Sequence, residues 1–521
     1  METPGQATEP QAVQQTLTQV PVKLLDRKHP EYDLYQQLWA DIDILNEAGV
    51  RLQQAADRFL RRPGKQLPDI FEERLQTVTA TPLLGTISGW YASSLFRRNP
   101  TIDAKGYEDF LNNCDCSGTQ FIDFLRDIFD HLFLYGRAWV LIELPKPDPQ
   151  TASLADELDQ KLDSPYLVLH HPSEIINWAF DDVGELNWVL IKQLKQSNTF
   201  LGPEELQYVW TLFDRTGYRK YSAKVEKNAA TEIQMTFPKI GDPPLMADLI
   251  EEGPHALSPY NMVPFRLVTV RKSLWIGSRC FLQFRSYLAE ENALKFTLDQ
   301  SNFALPMVFA DKEPSMVRGQ ANFLKFELQD RVEILESKGT GANLQHQRLG
   351  TLKDEIFRSA YLINLGSAGT QGSVDRQSAE SKAQDWAAAE DVLSAFGSVL
   401  KTNAKTILQR VAMASLDKSA PKFEVRGFRF EDKYAASIVA LCDEVAALQI
   451  PSETLTKTLW KSVASANLED YGADIVQKAL QEIDAAPDPV QQQADAAEQQ
   501  FSQTFNKLAD RQEAKAELGT L

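Results

Sequence analysis

The stretch Gly366–Ser373 (GSAGTQGS) is the first place to look for chemistry, because glycine-rich turns can cradle phosphates. A phosphate loop also needs a lysine to reach the phosphates and a following serine or threonine for magnesium. This stretch supplies no lysine, and it leaves a helical pattern where a strand is required, so it reads as a flexible loop. The six histidines (His29, His131, His170, His171, His255 and His346) show no HExxH and no paired Cys–His spacing. His170 and His171 close a strand before Pro172, where neighbouring side chains point to opposite faces. A single metal ligand is one reading there, and a surface or hydrogen-bonded histidine is the favoured one. Cys114 and Cys116 form a CxC pair that reads as two incidental thiols. With Cys280 and Cys442 they make four cysteines, too few for a disulfide framework and suited to a reducing compartment. No GxSxG occurs. Asp103, Asp109 and Asp115 read as solvated carboxylates, and Arg61-Arg62 and Arg97-Arg98 as solvated helix ends. Nothing assembles a nucleophile, a base and an electrophilic partner, so the expectation is a non-enzyme without metal or cofactor.

The elements that would position these groups fall in a definite order. Residues 1–20 are rich in Gln, Thr and Pro and read as a flexible arm. Helical spacing follows at Tyr35, Leu38, Ile42 and Leu45, then at Leu52, Ala55 and Phe59. One helix is expected over 71–96, stopped by the basic pair and Asn99-Pro100. Another covers 119–135 up to Gly136, and Ala138–Leu144 reads as a buried strand. After a polar insertion at 145–163 come strands at 166–170, 188–191, 206–213 and 218–221, the last two joined by the turn Asp214–Gly217. A strand at 263–270 leads into a helix over 277–302 that Pro306 ends. Leu324, Phe326, Leu328, Val332 and Ile334 alternate, which suggests two short strands turning near Asp330. A helix at 345–361, the Gly-rich loop, and a long helix at 375–415 with Gly397 as a plausible kink come next. A strand at 423–430, about three helices over 434–485 and a Gln- and Ala-rich tail complete the pattern.

Composition sets the outer limits. Hydrophobic residues make up 43% and charged residues 24%, which excludes collagen-like, coiled-coil-only and wholly disordered chains. The net charge is −18, the wrong sign for broad coating of nucleic acid. No apolar run approaches the ~20 residues that span a bilayer, and METPGQATEP shows no secretion signal.

Four segments together resemble the portal proteins of tailed bacteriophages. They are residues 71–102, residues 124–145 with 164–178, the strand at 263–265 leading into 284–306, and the helix, loop and long helix of 345–415. The resemblance implies an α+β, mainly helical ring subunit. In it 1–20 is the arm, 21–272 an α/β wing, 273–303 the first stem helix and 304–344 a β-rich clip. Residues 345–361 are then the second stem helix, 362–374 the tunnel loop and 375–431 the long kinked wing helix and strand. A helical crown (432–486) and a polar tail (487–521) follow.

The same resemblance implies the site residues. Leu365, Gly366, Ser367, Ala368, Gly369, Thr370, Gln371 and Gly372 would line the DNA channel. Arg285, Lys295, Lys353 and Arg358 would lie on the stem helices. Phe323, Phe326, Leu328, Val332 and Ile334 would form the clip that meets the motor and adaptor. The implied partners are copies of the chain in rings of about twelve, double-stranded DNA in transit, the terminase large subunit, a head–tail adaptor, and major capsid and scaffold proteins, with no membrane. The implied location is a unique vertex of the virion, reached from the host cytoplasm. Twelve copies would carry about −216, a field that discourages phosphates from adhering. Two other readings stand beside this one: a cytosolic enzyme with an unrecognised carboxylate-based hydrolytic site, and a monomeric helical scaffold.

Overall fold

The computed structural model describes residues 18–64, 66–97, 99–145, 164–196, 206–225, 245–301, 305–309, 331–335, 339–362, 379–415, 423–427, 453–468 and 473–485. It divides into two units, 1–94 with 105–422, and 95–104 with 423–521. The main elements begin with β1 (Gln19–Pro21), α1 (Pro30–Glu47), α2 (Pro68–Gln76), α3 (Leu83–Leu95), β2 (Thr101–Asp103) and α4 (Phe121–Tyr135). Strands then dominate: β3 (Arg137–Glu143), β4 (Tyr166–His170), β5 (Ile175–Phe180), β6 (Leu186–Gln196), β7 (Leu206–Asp214), β8 (Tyr218–Val225), β9 (Met246–Gly253) and β10 (Phe265–Thr269). Next come α5 (Ile276–Ser301), β11 (Leu305–Phe309), β12 (Arg331–Leu335), α6 (Thr340–Ser359), α7 (Ala379–Ala414), β13 (Glu424–Arg426), α8 (Glu453–Leu468) and α9 (Ala473–Ala485). Separate antiparallel sheets among many helices make this an α+β chain.

In the first unit, α4 is built by its own periodicity. Phe121, Phe124, Leu125, Ile128, Phe129, Leu132 and Phe133 are all buried, and Gly136 ends the helix in the left-handed conformation at φ 74°. The chain turns directly into β3, whose residues Ala138–Ile142 are all buried. β3 is the middle of the sheet β10-β3-β4, and burial of five consecutive residues, whose side chains alternate between faces, means that both its faces are covered. α7 lies against both β3 and α4, and its Phe396 packs edge-on against Phe129 of α4 at 5.1 Å. The second sheet is antiparallel, in the order β1-β9-β8-β7-β6-β5. Its β7–β8 hairpin turns where the sequence places it, because Asp214 accepts from the backbone N–H of Thr216 and Gly217.

In the second unit, β2 pairs with β13, and α8 packs on α9 with Lys461 2.6 Å from Asp484.

Several expectations need correction. The single helix over 71–96 is two helices, α2 and α3, because Thr77, Thr79 and Thr81 precede Pro82 and their backbone is held elsewhere. The arm does not extend to residue 20, since Gln19–Pro21 pairs with β9. Strands β5 and β9 were not expected at all. β12 pairs with β11, so the partner of the 331–335 strand is 305–309 rather than the stretch just before Asp330. The last residues assigned to the clip are already helix, because α6 begins at Thr340 after Gly339 in the left-handed conformation at φ 68°. Phe323, Phe326 and Leu328, the tunnel loop from residue 363 onward, the insertion 146–163, the first expected crown helix and the tail lie outside the described residues.

Candidate functional site

The part of the fold that gathers the expected stem residues is the pair α5 and α6. Arg279 on α5 donates to the Tyr361 hydroxyl at 2.8 Å, and Arg348 on α6 lies 3.1 Å from Glu290. Positions rise along α5 while they fall along α6, so the two helices run antiparallel. α5 has 26 residues, a rod of about 39 Å. The short pair β11–β12 joins its far end to the start of α6.

The near end is fixed by close approach. The Trp275 indole donates to the Leu134 carbonyl at 2.7 Å. A Cβ on Gly277 would stand 2.3 Å from that same oxygen, and one on Gly136 would stand 2.7 Å from the Trp275 ring. Glycine at both positions lets α5 seat directly on the end of α4. Cys280 is buried just beyond, and burial pushes its thiol up to about 12, so it is an inert packing group. At the end of α6, the Tyr91 hydroxyl on α3 donates to the Ala360 carbonyl at 2.7 Å.

The middle of α5 is strapped by the segment between α2 and α3. Asn292, 5% exposed, accepts from the Thr79 N–H at 3.0 Å and donates to the Thr79 carbonyl at 2.8 Å and to the Leu288 carbonyl at 2.9 Å. Glu291 accepts from the N–H and hydroxyl of Thr81. Lys295 donates to the Thr77 carbonyl, and Arg74 lies over the Phe296 ring at 5.3 Å.

These contacts sort the four expected stem cations. Lys295 is spent on Thr77, and Arg285 donates to the Arg58 carbonyl at 3.2 Å. Lys353 and Arg358 project from α6 as exposed side chains. Of the expected clip residues, Val332 and Ile334 lie on β12, opposite Val308 and Pro306 in register.

The adjacent histidines at the end of β4 are each held by a hydrogen bond. His170 and His171 have separate partners: His170 Nδ1 lies 2.6 Å from Glu174, and His171 Nδ1 lies 2.6 Å from the Ser173 hydroxyl. Burial tends to raise Asp43, but the hydrogen bond from the Tyr135 hydroxyl and the His171 ring, whose Nε2 lies 3.4 Å away, outweigh it and hold the carboxyl below its usual range. Burial pushes His131 down to about 3, so it stays neutral in the core. Among the described residues no group of three or more His, Cys, Asp or Glu is placed to hold a metal ion. Burial likewise pushes Cys114 up to about 12. Asp115 is not the loose surface carboxylate its sequence position suggests. It accepts from the Ser117 and Thr119 N–H groups and the Thr119 hydroxyl, which organises the loop before α4. No helix among the described residues is long and apolar enough to cross a membrane.

No protein-family model and no curated protein matches this chain. Among solved structures it is similar to a chain of one described as "Virion of native gene transfer agent (GTA) particle". The TM-score is 0.39 at 10% sequence identity, and the match covers 78% of this chain and 97% of that chain.

Proposed function

We propose that this chain is a portal-type subunit that works as a non-enzymatic ring at one vertex of a virion. In this reading the ring conveys double-stranded DNA during packaging and ejection. It also docks the terminase large subunit and a head–tail adaptor, and it meets major capsid and scaffold proteins during assembly in the host cytoplasm. The observation that carries the reading is the helical hairpin α5–α6. Both its feet are fixed in the α/β region, and its far end bears the strand pair β11–β12. A rod of this kind, repeated around an axis, would line a channel, with a small β module at one mouth. Straps from Thr77, Thr79 and Thr81 hold α5 rigidly to the α/β region, as a channel wall under load requires. With Lys295 and Arg285 committed to backbone carbonyls, Lys353 and Arg358 are the stem cations that would meet passing phosphates. The −18 charge of each subunit keeps that contact brief. Native mass measurement on the purified chain tests the reading. A species near 700 kDa, about twelve times 58.7 kDa, supports it. A stable monomer at every concentration and salt condition overturns it.

A further inference from the structure

The sheet β10-β3-β4 ends at β10, and part of that edge has no backbone partner among the described residues. The Ile142 N–H donates to the Pro264 carbonyl, and the Val270 N–H donates to the Gly136 carbonyl. In an antiparallel ladder this phase turns the backbone groups of Arg266 and Val268 toward β3 and those of Phe265, Leu267 and Thr269 away from it. Arg410 on α7 donates to the outward Phe265 carbonyl. No described residue bonds the outward N–H and C=O of Leu267 or Thr269. Such an edge is a template for another strand.

The edge opens into a cleft of about 420 Å³ lined by Leu267 and Thr269 together with Trp178 and Phe180. Phe180 is 46% exposed. The cleft is basic in a chain that is strongly acidic. Among the described residues, Arg137, Arg266, Lys272 and Arg410 line it against Glu31 and Glu185. Glu31 is matched to Arg137 at 2.8 Å, and Glu185 to Arg410 at 3.2 Å. The Arg266 head is held by the neutral amide of Asn403, at 3.0 Å, and Lys272 is exposed. Arg266 and Arg410 share the single carboxylate of Glu185, which leaves a half-buried guanidinium incompletely compensated, and an arriving carboxylate would offset that cost.

We propose that the free edge of β10 is a docking site for an extended acidic peptide segment of a partner polypeptide. The segment adds as a strand, exchanging backbone hydrogen bonds with Leu267 and Thr269 and setting carboxylates against Arg266 and Lys272. A small free anion would use the cations but leave the strand edge unpaired, so the edge favours a peptide. This inference rests on the α/β region alone and stands whether or not the chain forms a ring.

The probe is a fluorescein-labelled peptide of seven residues alternating glutamate and valine, titrated against the full chain by anisotropy. The control peptide carries lysine in place of glutamate. The glutamate peptide binds, the lysine peptide binds at least about tenfold more weakly, and K272Q or R266Q weakens the glutamate peptide by about tenfold. Hydrogen exchange read by mass spectrometry slows at Leu267 and Thr269 on binding and stays unchanged at Val268, which β3 already protects. K272Q alters an exposed side chain and keeps the charge test valid if R266Q misfolds. Absence of binding at about 1 mM peptide, equal binding of the lysine peptide, or binding without slowed exchange at Leu267 and Thr269 overturns the proposal.

Discussion

Asn292 offers the sharpest test of how α5 is braced. Its amide makes one hydrogen bond from and one to the Thr79 backbone and a third to the Leu288 carbonyl, all within 3.0 Å. Replacing it with alanine removes all three. Thr79 is exposed, so its backbone groups recover water and the full penalty of an unsatisfied buried pair does not apply. At about 0.5–1.5 kcal/mol net for each bond, Asn292→Ala should cost about 2 kcal/mol. Asn292→Asp is the more telling change. It keeps an acceptor for the Thr79 N–H but turns a carboxylate at a 5% exposed position toward two carbonyl oxygens. That arrangement loses both donated bonds and adds repulsion, so at neutral pH it should cost more than the alanine change, by about 1–2 kcal/mol. Urea unfolding followed by tryptophan fluorescence reads both values. The extra cost of Asn292→Asp should shrink as acid protonates the new carboxyl. An aspartate variant at least as stable as the alanine variant at neutral pH would refute the strap.

Three further outcomes are expected. Gly277→Ala should destabilise by about 2–4 kcal/mol, since its Cβ meets the Leu134 carbonyl, whereas Gly350→Ala, with open space within α6, should gain about 0.5–1 kcal/mol in the same unfolding assay. Asp130 is pushed up to about 6 by burial, against a hydrogen bond from Ser88 that lowers it. The native state therefore holds this proton more tightly than the unfolded chain, and the resulting stability is present below about pH 4 and lost as pH rises through about 6. Asp130→Asn should raise the melting temperature above pH 6 and flatten its pH dependence between those values; an unchanged slope would contradict the assignment. Deleting Gly366–Gly372 should leave assembly intact and impair DNA packaging or retention, and particles filled normally with genome would remove the tunnel-loop role from this segment.

The fold was legible wherever one segment carried its own instructions. The apolar spacing of Phe121–Tyr135 and the stop at Gly136 define α4 without help from the rest of the chain. Asp214 and Gly217 likewise define their turn through local hydrogen bonds. Legibility failed where distant residues decide. The apolar period continues from α2 toward α3, and only the Thr79 and Thr81 bonds to Asn292 and Glu291 show why the helix breaks between them. β5 (IINWAF) shows no clean alternation, because Ile175, Ile176 and Trp178 are all buried. β9 mixes acids into a strand whose pairing is fixed by β8 and β1. In the candidate site, the hairpin of α5 and α6 follows from sequence order, and both helices were expected. The roles of its polar residues were hidden, since a mid-helix asparagine or lysine looks like a solvated surface group. The pairing of Arg410 with Glu185 and Phe265 was equally hidden, because the partners are more than a hundred residues apart.

In the proposed function the chain acts through the opening it forms with copies of itself. Electron microscopy of the purified protein, averaged down the particle axis, addresses it most directly. Closed rings of about twelve subunits around a central hole, with α5 and α6 lining the wall, are the expected result. Particles without rotational symmetry, or rings in which these helices face outward, would contradict it.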